Sequence, residues 1–291
     1  MKPTLVVAFD GLDYELIKEF DCKNVKQQSF GRIDNSTDTK SIKTSELFAN
    51  LITGENYEQH GIEGLSIWTN PRIGKLEKLI SRLPYSNKTS ELRQAVYESL
   101  GFMSAKKMRP DKTFLEEETV FEKIDNSRAM FVPSYNPSEY WQMGLDMTPL
   151  EYGFSAQKTL EIWDTREHQH RKKELFHELE SAILPARDLL MCHYPRPDIH
   201  QHIYGDPDTS SFSHDRLRKL YQETDELAAE IKEKSESAGY EKIVFMSDHG
   251  LPEGEQHNTN AFWSSSAQSS VSKVSLKDFF ERLTGDDFSF H

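Results

Sequence analysis

The chain has 291 residues, of which 36% are hydrophobic and 29% are charged, and its formal net charge is −13. This length is sufficient to bury a sizeable core, whereas the acidity argues against a nucleic-acid duplex or an anionic membrane as an electrostatic partner. An anionic substrate would need local positive charge, which bound divalent cations can supply.

Targeting and anchoring signals are not evident in the sequence. Met1-Lys2-Pro3 leads into an apolar run that is too short for a signal peptide, and no run is long enough to span a bilayer. Cys22 and Cys192 lie too far apart for zinc-finger or disulfide-framework spacing. We therefore expect a cytoplasmic protein without membrane contact, and the pattern gives no indication of its oligomeric state.

Predicted strands and helices alternate along the first part of the chain. The patterns predict a buried strand at 4–9, a helix at 14–20, a short strand at 30–33 and a helix at 45–52 that ends before Gly54. Residues 65–118 lack strand signals but contain two short helical patterns, at 75–83 and 91–100. This segment is predicted to be an insertion or lid. Its basic cluster at 106–109 is either an anion-binding patch or a solvated face.

The second part of the chain continues the alternation. The predicted elements are a strand at 129–132, a helix at 156–183 with one interruption, a strand at 188–194, a helix at 217–237, a strand at 243–246, a Ser-rich loop at 264–275 and a helix at 276–283. The polar run at 168–173, with His168 and His170, is expected on the solvent side of its helix. Alternating strands and helices predict an α/β fold in one domain, residues 1–291, with a mostly parallel sheet between two helical layers.

Three of the apolar strand patterns lead to carboxylates, and imidazoles follow two of them. In open α/β sheets, ligands bind beyond the carboxyl ends of the strands, so these side chains are expected to converge. Carboxylate and imidazole together suit Zn, Mn or Fe, and six ligands suit two metal ions with open positions better than one tetrahedral zinc. The six candidate ligands are Asp10, Asp198, His202, Asp248, His249 and His257.

Several of these residues also have structural interpretations. Asp10 could cap the following helix, and Thr44 could be the N-cap of the helix at 45–52. Spacing alone does not decide between His200 and His202 as a ligand. His193 lies within a predicted strand and is expected to be packed or hydrogen bonded.

Four stretches, taken in order, resemble the alkaline phosphatase superfamily, specifically the branch of type I phosphodiesterases and nucleotide pyrophosphatases. Each is weak alone, but their order and spacing are specific. They are Val6-Val7-Ala8-Phe9-Asp10-Gly11; Lys43-Thr44-Ser45 with Thr53-Gly54 and His60-Gly61-Ile62; Asp198-Ile199-His200-Gln201-His202-Ile203-Tyr204-Gly205; and Ser247-Asp248-His249-Gly250 with His257.

The resemblance implies a metal-dependent phosphohydrolase with Thr44 as its nucleophile. It assigns one metal ion to Asp10, Asp248 and His249, with Thr44 Oγ as the fourth ligand. It assigns the other to Asp198, His202 and His257. The implied cofactors are two divalent ions, Zn with Mn as the alternative. The implied reaction cleaves a phosphodiester or pyrophosphate bond in a small phosphate ester, such as a nucleotide, through a phosphothreonine.

The sequence departs from the family pattern at two places. Ser45-Glu46-Leu47-Phe48 follows the nucleophile, where the family commonly has Phe-Pro-Asn-His. Glu63-Gly64-Leu65 lacks the Asn that donates to a phosphoryl oxygen in nucleotide pyrophosphatases. A phosphomonoesterase of the same superfamily and a catalytically silent metal-binding member therefore remain alternatives. A sulfatase is disfavoured, because that branch uses a modified Cys or Ser. Trp141 and Tyr135 could stack on a base, although packing is expected for both.

Overall fold

The computed structural model describes residues 2–37, 39–68, 107–143, 153–181, 185–206, 211–253, 256–269 and 271–285. The strands are β1 (Thr4–Phe9), β2 (Ser29–Asp34), β3 (Ile67–Trp68), β4 (Lys107–Met108), β5 (Ser127–Met130), β6 (Leu189–Tyr194), β7 (Lys242–Met246), β8 (Pro252–Glu253), β9 (Gln256–His257), β10 (Phe262–Ser265) and β11 (Lys273–Ser275).

Helices occupy most of the connections between these strands. They are α1 (Tyr14–Glu19), α2 (Lys23–Lys26), α3 (Thr44–Thr53), α4 (Tyr57–His60), α5 (Val120–Lys123), α6 (Glu139–Gln142), α7 (Ala156–Trp163), α8 (Gln169–Glu180), α9 (Arg196–Tyr204), α10 (His214–Ser237) and α11 (Leu276–Thr284). A 3-10 helix spans Lys112–Phe114, and a π-helical turn, Asp164–His168, joins α7 to α8.

The central sheet has seven strands in the order β11-β2-β10-β7-β1-β6-β5. All of its pairs are parallel except those of β10, which runs antiparallel to β2 and β7. This mostly parallel sheet confirms the predicted α/β class. Because β10 reverses direction, the other six strands present their carboxyl ends at one edge of the sheet.

Alternation along β1 explains the two helical layers. Leu5, Val7 and Phe9 face one core, which also contains buried residues of α1, α8, α9 and α10. Val6 and Ala8 face a second core built with α3, α5 and α11. Side chains alternate between the faces of a strand, so a strand that is apolar throughout must be covered on both sides.

The prediction of a Ser-rich loop at 264–275 is wrong at both ends of that segment. Ser264 and Ser265 are buried in β10, and Lys273–Ser275 forms the edge strand β11. The Ser264 hydroxyl donates to Val25 O, which satisfies a buried polar group within the sheet. Tertiary pairing thus overrides the low strand preference of serine.

The ends of the predicted insertion are joined by a short ribbon. β3 and β4 pair antiparallel, with Ile67 opposite Met108 and Trp68 opposite Lys107. The predicted helices at 75–83 and 91–100 lie outside the described residues. The solvated-face interpretation of the basic cluster is wrong for Arg109, which is buried with its guanidinium 4.1 Å from the ring centroid of Trp141.

The helix that carries Thr44 is fixed at its far end. Gly54 is the C-cap of α3, and its φ of +73° is a left-handed conformation that suits glycine. A Cβ at this position would lie 2.6 Å from the ring of Phe280 on α11, so the ring packs directly against the helix end.

No helix among the described residues has the length and apolar composition needed to cross a membrane. The cytoplasmic location predicted from the sequence remains a prediction.

Candidate metal centre

Adjacent strands place the first candidate ligands at one edge of the sheet. Asp10 directly follows β1, and Asp248 lies two residues beyond β7, the neighbouring parallel strand. Asp198 lies in the first turn of α9, which follows β6 on the other side of β1. The parallel register therefore brings together three carboxylates that are distant in sequence.

Asp10, Asp248 and His249 form a group that we call the buried triad. His249 Nε2 lies 3.1 Å from Asp10 Oδ1 and 3.4 Å from Asp248 Oδ2. One ligand atom of each residue lies within 4.8 Å of the others, and all three side chains are almost fully buried. The three donor atoms are therefore close enough together to hold one metal ion.

Asp198, His202 and His257 form a second group, the helix triad. Asp198 and His202 are four residues apart on α9 and so share one face of that helix. Asp198 Oδ2 lies 3.3 Å from His202 Nε2, and Asp198 Oδ1 lies 3.3 Å from His257 Nε2. The rings of His257 and His249 stack with centroids 3.8 Å apart, so the two triads adjoin.

The donor atoms of both triads suit divalent cations. His249 Nδ1–H donates to Gly250 O and His257 Nδ1–H donates to Ile42 O, because a carbonyl oxygen only accepts. In the neutral imidazoles, each Nε2 lone pair is therefore directed into the site.

Each triad also contains a carboxylate oxygen with no hydrogen-bond donor. Asp248 Oδ2 and Asp198 Oδ1 are buried without a hydrogen-bond partner in the described part of the chain. The Nε2 atoms of His257 and His202 face each other at 3.1 Å. Buried carboxylate oxygens without donors, and the Nε2 lone pair of His257 beside Asp198 Oδ1, favour positive charge within each triad. The site therefore fits one divalent cation in each triad.

The carboxylates and imidazoles shift one another's pKa values. Burial and the charge of Asp10 raise the pKa of Asp248 well above its usual value. Burial opposes protonation of His249, but Asp248 and Asp10 outweigh it and raise the pKa of His249 to about 10. Asp198 raises the pKa of His202. Concentrated negative charge is thus the dominant electrostatic feature of the site.

Thr44 lies beside the buried triad. Its Oγ1 is 3.4 Å from Asp10 Oδ1 and 3.2 Å from His249 Nε2. α3 begins at Thr44, and the N-cap position belongs to Lys43, so the N-cap interpretation of Thr44 is wrong. The first backbone N–H groups of a helix have no partners within it, and Thr44 is the first residue of α3.

Two further alternatives are decided by the geometry. Asp13, and not Asp10, caps α1 by accepting from the backbone N–H groups of Glu15 and Leu16. His200 lies away from both triads, with its ring nitrogens at 3.0 Å from Tyr204 OH and Asp164 Oδ1. The structure thus places His202, and not His200, beside Asp198. The assignment of the seven site residues as ligands and nucleophile remains a prediction.

Glu46 accounts for one departure from the family pattern. Its side chain is fully buried and accepts from the Ser41 hydroxyl and from the backbone N–H groups of Ser41 and Gly64. It also accepts from the backbone N–H of Lys40. Glu46 therefore ties the segment before α3 and the segment after α4 to the helix that carries Thr44.

His60, which matches the family's His-Gly-Ile, lies outside the triads. Its Nε2 is 2.6 Å from Asn50 Oδ1 on α3, and its Nδ1 accepts from the backbone N–H of Ile62. Burial lowers the pKa of His60 to about 4, so the ring is neutral at pH 7. These contacts indicate a structural role in joining α4 to α3.

A buried ionic group behind Asp10 was not predicted from the sequence. His193 Nε2 lies 3.1 Å from Asp10 Oδ2, and Arg171, with no exposed surface, lies on the other side of His193. The expectation that the run at 168–173 faces solvent is therefore wrong for Arg171. Glu167, Arg171, Leu175 and Leu179 are all buried and recur every four residues. This spacing was the available signal, because it places the charged pair on the apolar stripe of its helix.

The interior packing interpretation of Trp141 is confirmed. Its ring is buried, with its centroid 6.3 Å from that of His193, and lies against Arg109. Tyr135 packs on Phe121 with ring centroids 4.5 Å apart, and its hydroxyl donates to Glu122. Both rings are thus packed, as expected, and Trp141 is buried whereas Tyr135 is only partly buried.

Comparison with solved structures shows the same fold in larger proteins. Murine ectonucleotide pyrophosphatase/phosphodiesterase 5 superposes with a TM-score of 0.51 at 16% identity, over 88% of this chain and 59% of that protein. An inactive form of the murine protein in complex with AMP gives a TM-score of 0.50 at 15% identity, with the same coverage. The chain thus spans about 59% of the length of these structures.

The sequence was compared with curated proteins and with family models, and the two comparisons differ. No curated protein sequence matches the chain. The family model described as type I phosphodiesterase/nucleotide pyrophosphatase, in contrast, matches residues 4–274, which include all seven candidate site residues. The chain therefore belongs to the type I phosphodiesterase/nucleotide pyrophosphatase family.

Proposed function

We propose that this protein is a metal-dependent hydrolase that cleaves a phosphodiester or pyrophosphate bond, with the Thr44 hydroxyl as nucleophile. Family membership supports the reaction class. The observation that carries the proposal is the position of Thr44 Oγ1, which is 3.2 Å from His249 Nε2 and 3.4 Å from Asp10 Oδ1 at the start of α3. A nucleophile and its activating groups must lie at such distances.

Each triad would hold one divalent cation, Zn with Mn as the alternative. When bound, the cations would lower the pKa of the threonine hydroxyl and offset the negative charge of the phosphoryl group. Three buried carboxylates would otherwise repel an anionic substrate, so this charge compensation is as important as activation.

The reaction then consists of two displacements at phosphorus. Thr44 Oγ forms a bond to phosphorus while the bond to the leaving-group oxygen breaks, and the hydroxyl proton ends on that oxygen. Water next attacks the phosphothreonine, the bond to Thr44 Oγ breaks, and Thr44 regains a proton. Two inversions give net retention at phosphorus. Backbone N–H groups at the start of α3 would donate to the phosphoryl oxygens.

The substrate is proposed to be a small phosphate ester, with a diester or pyrophosphate ahead of a monoester. A protein of the same fold has been solved with AMP, which supports testing nucleotides. The proposal is tested with bis-(para-nitrophenyl) phosphate, para-nitrophenyl phosphate and a nucleotide diester, each with Zn²⁺ or Mn²⁺. Faster monoester hydrolysis would favour the phosphomonoesterase alternative.

The decisive variant is Thr44→Ala. We expect turnover to fall by at least about 1000-fold, since the covalent route is lost, while two cations still bind per chain. Thr44→Ser should retain measurable activity, and rapid quenching of the unmodified enzyme should trap a phosphothreonine. Thr53→Ala is the matched control, because Thr53 lies at the other end of α3 and its hydroxyl donates to Ala49 O.

Two outcomes would contradict the proposal. Normal diester hydrolysis by Thr44→Ala would remove Thr44 from its role. An unmodified protein that binds two cations but hydrolyses none of the esters would favour the catalytically silent alternative.

A further inference from the structure

His193 lies between a candidate metal ligand and a buried cation. Its Nε2 is 3.1 Å from Asp10 Oδ2, and its Nδ1 is 3.0 Å from Arg171 Nη1. A guanidinium group only donates hydrogen bonds, so Nδ1 of His193 must accept. The ring hydrogen of the neutral imidazole is therefore on Nε2, which donates to Asp10 Oδ2. Arg171 thus fixes the tautomer of His193.

The contact with His193 uses only one of the two oxygens of Asp10. The other oxygen, Oδ1, lies 3.1 Å from His249 Nε2 and 3.4 Å from Thr44 Oγ1, within the buried triad. The donor on Oδ2 holds the carboxylate plane, and Oδ1 is consequently directed at the position where a cation would lie. A carboxylate free to rotate would offer either oxygen or both.

Arg171 is held in turn by contacts on every side of its guanidinium group. Nε and Nη2 donate to Glu167 Oε2, at 3.0 and 2.6 Å, and Nη2 also donates to the Ser138 hydroxyl. Nη1 additionally donates to His193 O at 2.9 Å and to Phe131 O at 3.4 Å. These contacts fix the guanidinium in one orientation.

The cost of this arrangement argues for a role beyond packing. Burying an ion pair such as Arg171 and Glu167 contributes little net stability, and an apolar pair of similar volume often serves the fold as well. The pair also lies at a π-helical turn, where Gln169 N–H donates to Asp164 O. Such turns insert one extra residue into a helix and are frequent at functional sites.

We propose that His193 and Arg171 are positioning residues that orient Asp10 for cation binding in the buried triad. The inference rests on the proposed function, since it assigns a cation to that triad. Residues behind metal ligands characteristically fix a ligand's orientation, and their loss typically weakens metal affinity by about 10- to 100-fold. His193 and Arg171 would act on one of the two cation sites only.

The test measures cation affinity instead of turnover. Metal-free protein is titrated with Zn²⁺ by calorimetry, and with Co²⁺, whose visible absorption depends on its ligands. The step that Asp248→Asn removes identifies the buried triad, and the step that His202→Gln weakens identifies the helix triad. We expect His193→Leu to weaken cation affinity at the buried triad about 10- to 100-fold. Cation affinity at the helix triad should stay within about threefold of that of the unmodified protein.

Conservative and compensated variants separate positioning from folding. His193→Gln retains an amide N–H that can donate to Asp10, so it should recover most of the lost affinity. Arg171→Met combined with Glu167→Met removes the ion pair without leaving a lone buried charge and should weaken the same step. His60→Leu is the matched control, because it removes another buried, doubly hydrogen-bonded imidazole that lies outside both triads.

Several results would overturn the inference. It fails if His193→Leu binds both cations as tightly as the unmodified protein. It also fails if both steps weaken equally, if His60→Leu gives the same loss, or if the unmodified protein binds no cation at the buried triad. An unmodified protein that binds two cations but hydrolyses no ester would contradict the proposed function only. The comparison of cation affinities would still decide whether His193 and Arg171 orient Asp10.

Discussion

The buried triad and the helix triad have the same ligand types but different supports. Asp10 and Asp248 follow neighbouring strands, and the donor to Asp10 Oδ2 is fixed by a buried ion pair. In the helix triad two of the three candidate ligands lie on one short helix, and the side chain of His202 is 34% exposed. The comparison indicates that the candidate cation site beside Thr44 is the more buried of the two and that the candidate site in the helix triad is the more accessible.

The largest expected difference comes from removing one ligand of each triad. Asp248→Asn should lower kcat/KM by about 1000-fold, because several kcal/mol of charge stabilisation are lost beside Thr44. His202→Gln should cost less, about 10- to 100-fold, and higher cation concentration should restore part of it. Steady-state kinetics at two Zn²⁺ concentrations distinguish these outcomes. If both variants lose the same kcat/KM and extra Zn²⁺ restores neither, the two triads do not differ in this respect.

A smaller difference is expected in the pH dependence of cation binding. The pKa of His249 is raised to about 10, so at neutral pH a proton must leave before Nε2 can hold a cation. Affinity of the buried triad should therefore fall about tenfold for each pH unit lowered below that value. His202 also has a raised pKa, whereas the pKa of His257 is lowered.

Competition titrations from about pH 6 to about pH 8.5 measure these slopes. The Asp248→Asn and His202→Gln variants assign each slope to a triad. An affinity of the buried triad that does not change with pH would contradict the predicted protonation of His249.

The smallest effect is expected at Gly11, which links the two triads. Its φ is +70°, and a Cβ would lie 3.0 Å from both Asp198 Cβ and Gln201 Oε1. Gly11→Ala should lower the free energy of unfolding by about 1–3 kcal/mol and weaken binding at the helix triad by displacing Asp198. Denaturant unfolding measures the loss of stability, and the Zn²⁺ titration step that belongs to the helix triad measures the loss of affinity.

Gly153→Ala provides the control for Gly11. Gly153 also has a left-handed φ, of +81°, but no atom of the described residues lies within 4 Å of the position of its Cβ. Its substitution should cost about 1–2 kcal/mol of conformational strain and leave cation affinity unchanged. Equal loss of affinity in both variants would show that strain, and not contact with Asp198, is responsible.

Periodicity and strand ends were sufficient to predict the fold class and the carboxylates that meet at the sheet edge, whereas the choice of His202 over His200 and the role of Thr44 came from the family resemblance. β1 has the predicted bounds, and α3 extends the predicted helix by one residue at each end. These elements are strongly apolar, so the sequence itself contains their pattern. The strand predicted at 129–132 ends earlier, at Met130, because Phe131 has a φ of +59°.

Features that depend on tertiary partners could not be predicted in this way. Serines favour turns, yet Ser264 and Ser265 form a buried strand because β2 and β7 flank them. Arg171 resembles a surface residue in a polar run, and only its contacts with Glu167 and His193 explain its burial. Such residues are compatible with the interior only after their partners are in place.

The contact between Gly54 and Phe280 has a consequence for the chemistry at the opposite end of α3. Ten residues of helix separate the two ends, or about 15 Å. The aromatic ring therefore supports one end of the helix whose first residue, at the other end, is Thr44. α11 thus helps to hold the position of the candidate nucleophile from the far end of the helix against which it packs.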